Sequence, residues 1–391
     1  MLIDGVDGTP FVAGTLSYED GDGPLIQVPY VPGDDQFAVP QSWFDERHPV
    51  PAALWFQDPD GAVMLAGVRW RGNRGAGVSV GRLEANLAIF ERPRAVADEY
   101  RVRTVTSRID GLHEFAGFES ITSDHDRVDG RWRTTVVVHA KDEVTVEHDG
   151  VTYTIRVTVP TTSSALEVIA RADAVIETTT DDGSTVDEHV AAQWPIRALL
   201  TLAFGVPLFW REHMLLDDQF PVWMVSGDAR SPAHVPVLLR RTLRDHEQPE
   251  VAWRDLAGSM FRLADLGPEG LARWLALYDD KLFRRAVEPM VEVLNGGAGH
   301  FVEPRLTLTM FALDALGHYL DEARTPKVPL RDQVLRCLDV PGVDWSAVGT
   351  PDQVAQALAH VNNDLKHPDR DHRPDGVEMS LAADLASSSC G

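Results

Sequence analysis

The sequence predicts an α+β multidomain protein: a β-rich N-terminal domain of sandwich or barrel-like type over residues 1–250, followed by an α-helical bundle over residues 251–391. Three observations carry this. A chain of 391 residues, 44% of them apolar, can bury more than one core. Up to about residue 160, apolar residues come in short runs rich in Val, Thr, Ile and Tyr, separated by Gly, Asp and Pro clusters, as in strands and hairpins. Beyond about residue 250 they recur every three or four residues, the period of a helix face.

The first strands read as Phe11 to Tyr18 and Leu25 to Val31, joined through the turn cluster Glu19-Asp20-Gly21-Asp22-Gly23-Pro24. Arg133 to His139 and Glu143 to Val159 continue the pattern, the latter folded at Asp149-Gly150, a pair that suits a tight hairpin turn. Between about 160 and 250 the signal is mixed. Val186 to Leu202 reads as helix, and Pro207, Pro221, Pro232 and Pro236 divide the chain after it into short segments. The longest apolar stretch, Ile196 to Trp210, is interrupted by Arg197, Gly205 and Pro207 and reads as a buried helix and turn.

In the C-terminal part a helix opens at Pro268, sets Leu271, Trp274, Leu275 and Tyr278 on one face, and runs on toward Leu294, where Asn295-Gly296-Gly297 ends it. A second carries Leu306, Met310, Leu313, Leu316, Gly317 and Leu320 and stops before Pro326; Pro329 to Leu338 forms a short third. Thr350-Pro351-Asp352 caps a fourth, which runs through Val354, Leu358, Val361 and Leu365 and closes at Pro368. Ala386 to Gly391 reads as a frayed tail.

Composition narrows the function classes. A formal net charge of −24 opposes sequence-independent affinity for nucleic acid, so any RNA contact must be local. Only four lysines occur: Lys141, Lys281, Lys327 and Lys366. Cys337 and Cys390 stand apart and outside any C-x-x-C spacing, and neither a phosphate loop nor an H-E-x-x-H helix is present, so no metal or cofactor is expected. The cluster Thr180-Asp181-Asp182-Gly183 reads as a solvated turn. Gly77-Val78-Ser79-Val80-Gly81 matches the nucleophile-elbow pattern, but that motif needs a helix directly after the serine, and the surroundings read as strand and loop. The opening Met1-Leu2-Ile3-Asp4-Gly5 lacks a basic n-region, and no apolar run approaches the roughly 20 residues of a membrane span; the expected address is the cytoplasm, with no membrane partner.

The chemistry concentrates at the end of the fourth helix, Asn362-Asn363-Asp364-Leu365-Lys366-His367-Pro368. On a 3.6-residue period His360, Asn363 and His367 form one polar stripe, while Leu358, Val361 and Leu365 face the core. The negative end of the helix dipole favours a positively charged imidazole at His367, which suits a general acid. The same placement serves a structural last-turn residue, and spacing alone does not separate the two.

This run resembles the signature helix of the HEPN superfamily, whose ribonucleases carry Arg, then usually Asn, Asp or His, then three to five residues, then His. Asn363 takes the polar position, His367 the histidine, and Pro368 comes next; Asn362 stands where the family has arginine. The likeness is to the ApeA-like HEPN group. Phe301-Val302-Glu303-Pro304-Arg305-Leu306, the helix through Leu320, and Trp274 resemble its helical framework. Phe11-Val12-Ala13-Gly14-Thr15-Leu16, Arg108-Ile109-Asp110-Gly111-Leu112-His113 and Phe118-Glu119-Ser120-Ile121 resemble the ApeA N-terminal domain, so the likeness spans most of the chain. Arginine-to-histidine spacings also occur at Arg241 to His246, Arg108 to His113 and Arg133 to His139, none at the end of a bundle helix.

The resemblance implies an antiphage protein. Its β-rich domain would answer a phage-derived trigger, and its HEPN endoribonuclease domain would form a homodimer in which motif residues of both chains surround one scissile phosphate of RNA, tRNA among the candidates. The implied reaction needs no metal or cofactor: a ribose 2′-hydroxyl attacks the adjacent phosphorus and leaves a 2′,3′-cyclic phosphate and a 5′-hydroxyl, with growth arrest as the outcome. His367, Asn363 and Asn362 become the catalytic candidates, and His360, Lys366 and Arg370 the substrate-binding ones. Asparagine in place of the arginine offers hydrogen bonds without charge, and a lost donor of this kind costs roughly 3 kcal/mol, or about a hundredfold in rate. Lys366, Arg370 or Arg373 could supply the charge, although Asp364, Asp369, Asp371 and Asp375 surround them. The other reading is a HEPN-type dimerisation or RNA-binding module that lost catalysis with the arginine.

Overall fold

Short β-branched runs bounded by tight turns make the first part of the chain mostly strand, and the amphipathic runs after residue 250 make the last part helix. The structure is a computed structural model that describes residues 2–3, 12–18, 23–34, 38–44, 49–58, 61–91, 99–139, 143–164, 168–217, 222–227, 229–230, 234–297, 299, 301–323, 326–339, 344–367, 369 and 372–388. Phe11, the turn residues 19–22 and the terminal residues 389–391 fall outside these. Two units form: Met1–His113 with Phe118–Gln193 and Phe209–Glu250, and Glu114–Gly117 with Trp194–Leu208 and Val251–Gly391.

In chain order the elements begin with β1 (Leu2–Ile3), β2 (Thr15–Ser17), β3 (Leu25–Tyr30), α1 (Ala38–Phe44), β4 (Ala53–Asp58), β5 (Gly61–Ala66), β6 (Arg69–Ala76), β7 (Val78–Glu84) and β8 (Leu87–Phe90). Next come β9 (Arg101–Ile109), α2 (Leu112–Ala116), β10 (Ile121–Val128), β11 (Arg131–Val138), β12 (Glu143–His148), β13 (Val151–Thr158), β14 (Thr161–Ser163), β15 (Val168–Ala170), β16 (Asp173–Thr185) and α3 (Val186–Phe204). After α3 stand β17 (Trp210–Leu216), β18 (Val222–Trp223), β19 (Ala229–Arg230), β20 (His234–Leu239), α4 (Leu243–His246) and α5 (Trp253–Leu256). The chain closes with α6 (Leu263–Asp279), α7 (Lys281–Leu294), α8 (Val302–Leu320), α9 (Leu330–Leu338), α10 (Pro351–Lys366) and α11 (Gly376–Ser388).

The β-rich unit is built on a ten-stranded antiparallel sheet, ordered β1-β4-β5-β8-β20-β17-β9-β16-β13-β12, and a four-stranded one, β2-β3-β7-β6. Ile26, Val28 and Leu83 of the smaller sheet share one core with Leu54, Val63, Leu65 and Ala88 of the larger, a sandwich at that end of the unit. Gly81 is required there, because a Cβ would lie 2.1 Å from the Phe44 ring. The hairpin β12–β13 turns at Asp149 and Gly150 with φ of 47° and 74°, the left-handed pair that the sequence signals. Ser79 lies within β7, which pairs with both β3 and β6, and no helix comes directly after it, so the nucleophile elbow does not form. Arg133 to His139, read from the sequence as a further strand of the β-rich part, contributes to β11, which with β10 makes a separate two-stranded ribbon; Trp132 on it is 77% exposed.

The strands at the centre of the large sheet carry a buried polar seam. Ser107 Oγ lies 2.8 Å from His213 Nδ1, and Thr242 Oγ1 lies 3.0 Å from Nε2. Burial above all, then the nearby His246 and Arg241, lowers the His213 pKa to about 3, so the ring is neutral at physiological pH. His189 and Gln193 both bond Thr178 Oγ1, at 3.1 and 3.0 Å, and reach the carbonyls of Val102 and Val105.

In the helical unit, Ala198 and Leu202 pack with Trp274, Tyr278, Phe283, Val287 and Val291, and Trp274 Nε1 donates to the Pro195 carbonyl at 2.8 Å. A second core joins α8, α9, α10 and α11 through Leu306, Met310, Leu313, Val334, Leu338, Val354, Leu358 and Ala383. Cys337 is buried in it, which pushes its thiol up to about 12 and leaves it unreactive.

In the helical unit two sequence expectations change. The helix expected from Pro268 to Leu294 is two helices, broken at Asp280, where ψ is 115° and the carboxylate accepts from the Leu282 N–H at 2.8 Å to cap α7. Of the tail expected from Ala386 to Gly391, residues 386–388 are instead the last turn of α11, with Ala382, Ala383 and Ala386 buried, and residues 389–391 lie outside the described residues. Asp375 and Glu378 form a reciprocal cap at its start, Asp375 Oδ1 accepting from the Glu378 N–H and Glu378 Oε2 from the Asp375 N–H.

Candidate functional site at the end of α10

The helix α10 starts where Thr350 Oγ1 accepts from the Gln353 N–H at 3.3 Å and Gln353 returns the bond to the Thr350 N–H at 2.9 Å. Val354, Ala355, Leu358 and Ala359 face the core, with Val361 and Leu365 partly buried against it. Their registration leaves His360 and His367 exposed and Asn363 half-buried, the polar stripe expected from the sequence. The helix closes at His367, whose backbone N–H donates to the Asn363 carbonyl at 3.0 Å. Lys366 is exposed beside it. Arg370 and Pro368 lie outside the described residues.

Asn362 sits elsewhere. It continues the four-residue intervals of Val354 and Leu358 onto the core face and is 1% exposed, with no hydrogen-bond partner for Nδ2. It does not share the stripe of His360, Asn363 and His367. An arginine at this position would have to take its charge into the apolar core or bend its long stem out of it.

Asp364, which the sequence suggests only as a surrounding negative charge, is buried, and its Oδ2 lies 3.2 Å from the exposed His360 Nε2. The pair occupies i and i+4 of one helix, so the spacing alone could have revealed it. Its effect is to occupy His360 with an intrahelical partner while His367 and Lys366 remain at the surface. Among the described residues, no three His, Cys, Asp or Glu side chains converge as a metal site would require.

An antiparallel β-rich unit and a helical unit whose penultimate helix ends in an exposed histidine define a two-part α+β protein. The chain belongs to the ApeA family: the family model described as ApeA N-terminal domain 1 matches residues 6–212. The ApeA N-terminal domain is associated with antiphage defence. No curated protein and no solved structure matches the chain.

Proposed function

We propose that this chain is an antiphage defence protein of the cytoplasm whose helical unit is a HEPN-type, metal-independent endoribonuclease acting as a homodimer. The observation that carries the reading is His367: an exposed imidazole at the C-terminal end of α10, with Asn363 one turn back and Lys366 beside it. Across a symmetric dimer two copies of His367 would flank one phosphodiester. One removes the proton of the ribose 2′-hydroxyl as it attacks phosphorus, and the other protonates the departing 5′-oxygen. The products are a 2′,3′-cyclic phosphate and a 5′-hydroxyl.

The charge that the family places at Asn362 has to come from another group. Lys366 supplies it, being exposed and adjacent to His367, while the Asn363 amide donates to a non-bridging oxygen. The β-rich unit senses the phage-derived trigger. One observation favours a second reading, a HEPN-type module without catalysis: Asn362 is uncharged and buried. Single-turnover cleavage of RNA by the native protein beside His367→Ala decides between them. The nuclease reading expects a loss of at least about a hundredfold, the scale of a positioned acid or base. Equal rates in the two proteins would contradict it, and no cleavage by either would favour the module.

A further inference from the structure

The helical unit has a second polar feature, away from the α10 stripe. A pocket of about 240 Å³ is lined by Arg285 of α7, Phe311, Asp314 and His318 of α8, Lys327 of the α8–α9 connection and Gln333 of α9. Its charge is unusual for a chain of net charge −24, since one of only four lysines and one arginine open onto it against a single carboxylate, Asp314. The Arg285 guanidinium lies over the Phe311 ring at 5.1 Å, which holds it at the pocket mouth with its N–H groups unclaimed by a carboxylate among the described residues. Lys327 adopts φ of 61°, a left-handed conformation uncommon for a non-glycine residue, in the short connection between α8 and α9. Gln333 is 3% exposed; its Oε1 accepts from Arg336 at 2.8 Å, which fixes the amide in the wall. The backbone there is pinned as well, because Gly317 of α8 approaches so closely that a Cβ would lie 2.3 Å from the Gln333 carbonyl oxygen.

We propose that this pocket binds a nucleotide phosphate. Arg285 and Lys327 bind the phosphate oxygens, His318 donates a further hydrogen bond, and the Phe311 edge and Gln333 amide meet the sugar or base. Two cations in one pocket match a phosphate, guanidinium through paired N–H groups and ammonium as a point charge. The volume admits a phosphate with its ribose, and the aromatic ring suits a nucleotide better than an inorganic ion. The inference rests on the reading that the helical unit acts on RNA, for which the pocket would be a strand-anchoring subsite; the same chemistry would also accept a free mononucleotide.

The test uses full-length protein carrying His367→Ala, so that binding is read without cleavage and its outcome is independent of whether the chain is a nuclease. Fluorescence anisotropy with a labelled single-stranded RNA of about ten nucleotides is measured for this parent and for Arg285→Glu, Lys327→Glu and the control Lys281→Glu, at several salt concentrations. The expected result is at least about tenfold weaker binding for each pocket variant, with the salt slope reduced by about 0.7 per lost phosphate contact, and an unchanged affinity for Lys281→Glu. Thermal melts confirm folding; all three substituted side chains are exposed. Adenosine monophosphate is the second arm. If it displaces the RNA, the pocket is a mononucleotide site; if the RNA binds and the monophosphate does not compete, it is a strand subsite, and both support the proposal. RNA binding unaffected by either pocket variant, or no binding of RNA or monophosphate by the parent, would overturn it.

Discussion

Asn362 illustrates how a single side chain can be read two ways. Aligned by motif it stands beside Asn363 and His367, but the spacing Val354, Leu358, Asn362 carries it into the core. The apolar period is therefore enough to find its burial, and the family pattern draws attention away from it. A buried amide donor without a partner is costly, so Asn362→Leu should stabilise the fold by about 1–2 kcal/mol, read as a higher urea midpoint with unchanged slope; a lower midpoint would contradict the placement. His213 makes the opposite kind of prediction, because its interior polar seam depends on a neutral ring. Its pKa is about 3 in the fold against an ordinary 6.5, so below pH 6.5 the unfolded chain takes up a proton that the folded chain refuses. The stability this group provides is complete above pH 6.5 and is lost as pH falls from there toward 3. His189, His234 and His246 are lowered too, chiefly by burial, and act in the same direction. The urea midpoint should fall between about pH 7.5 and about pH 5, and a midpoint that stayed level or rose would contradict the seam's being buried and neutral. Nothing in the sequence marks Ser107, His213 and Thr242 as neighbours, since strand pairing, not chain proximity, brings them together.

Elements with strong caps and regular periods are legible in the sequence. The α10 start at Thr350-Pro351-Asp352, the α9 start at Pro329 and the Asp149-Gly150 hairpin all stand where local chemistry places them. The departures have physical causes. Apolar periodicity continues across Asp280, so the α6–α7 break shows only in that residue's cap geometry. The α11 core face is alanine, too small to register as a hydrophobic stripe, although the Asp375–Glu378 box announces its start. The β10–β11 ribbon carries the Thr- and Val-rich composition of a strand, yet both strands are exposed, a matter of tertiary placement that local composition does not encode. Close approach of α8 and α9 at Gly317 also gives a prediction at this scale. Gly317→Ala would drive a Cβ into the Gln333 backbone and should destabilise the protein by about 1–3 kcal/mol, as overpacking does; a neutral effect on the thermal midpoint would show that the two helices can separate without cost.

Across the whole molecule, the division into a β-rich and a helical part comes from composition and period alone, and the family match over residues 6–212 agrees with the resemblance read from the N-terminal residues. The net charge of −24 has a consequence for function as well, since it confines any contact with RNA to local groups such as His367 with Lys366, or Arg285 with Lys327. In the proposed mechanism homodimerisation would give the site its second histidine, so that the acid and base could be the same residue of two chains. The most direct measurement is the end chemistry of RNA incubated with native protein in the presence of a chelator, beside His367→Ala. The proposed mechanism predicts 2′,3′-cyclic phosphate and 5′-hydroxyl ends from the native protein and none from the variant; 5′-phosphate ends, or the same products from His367→Ala, would contradict it.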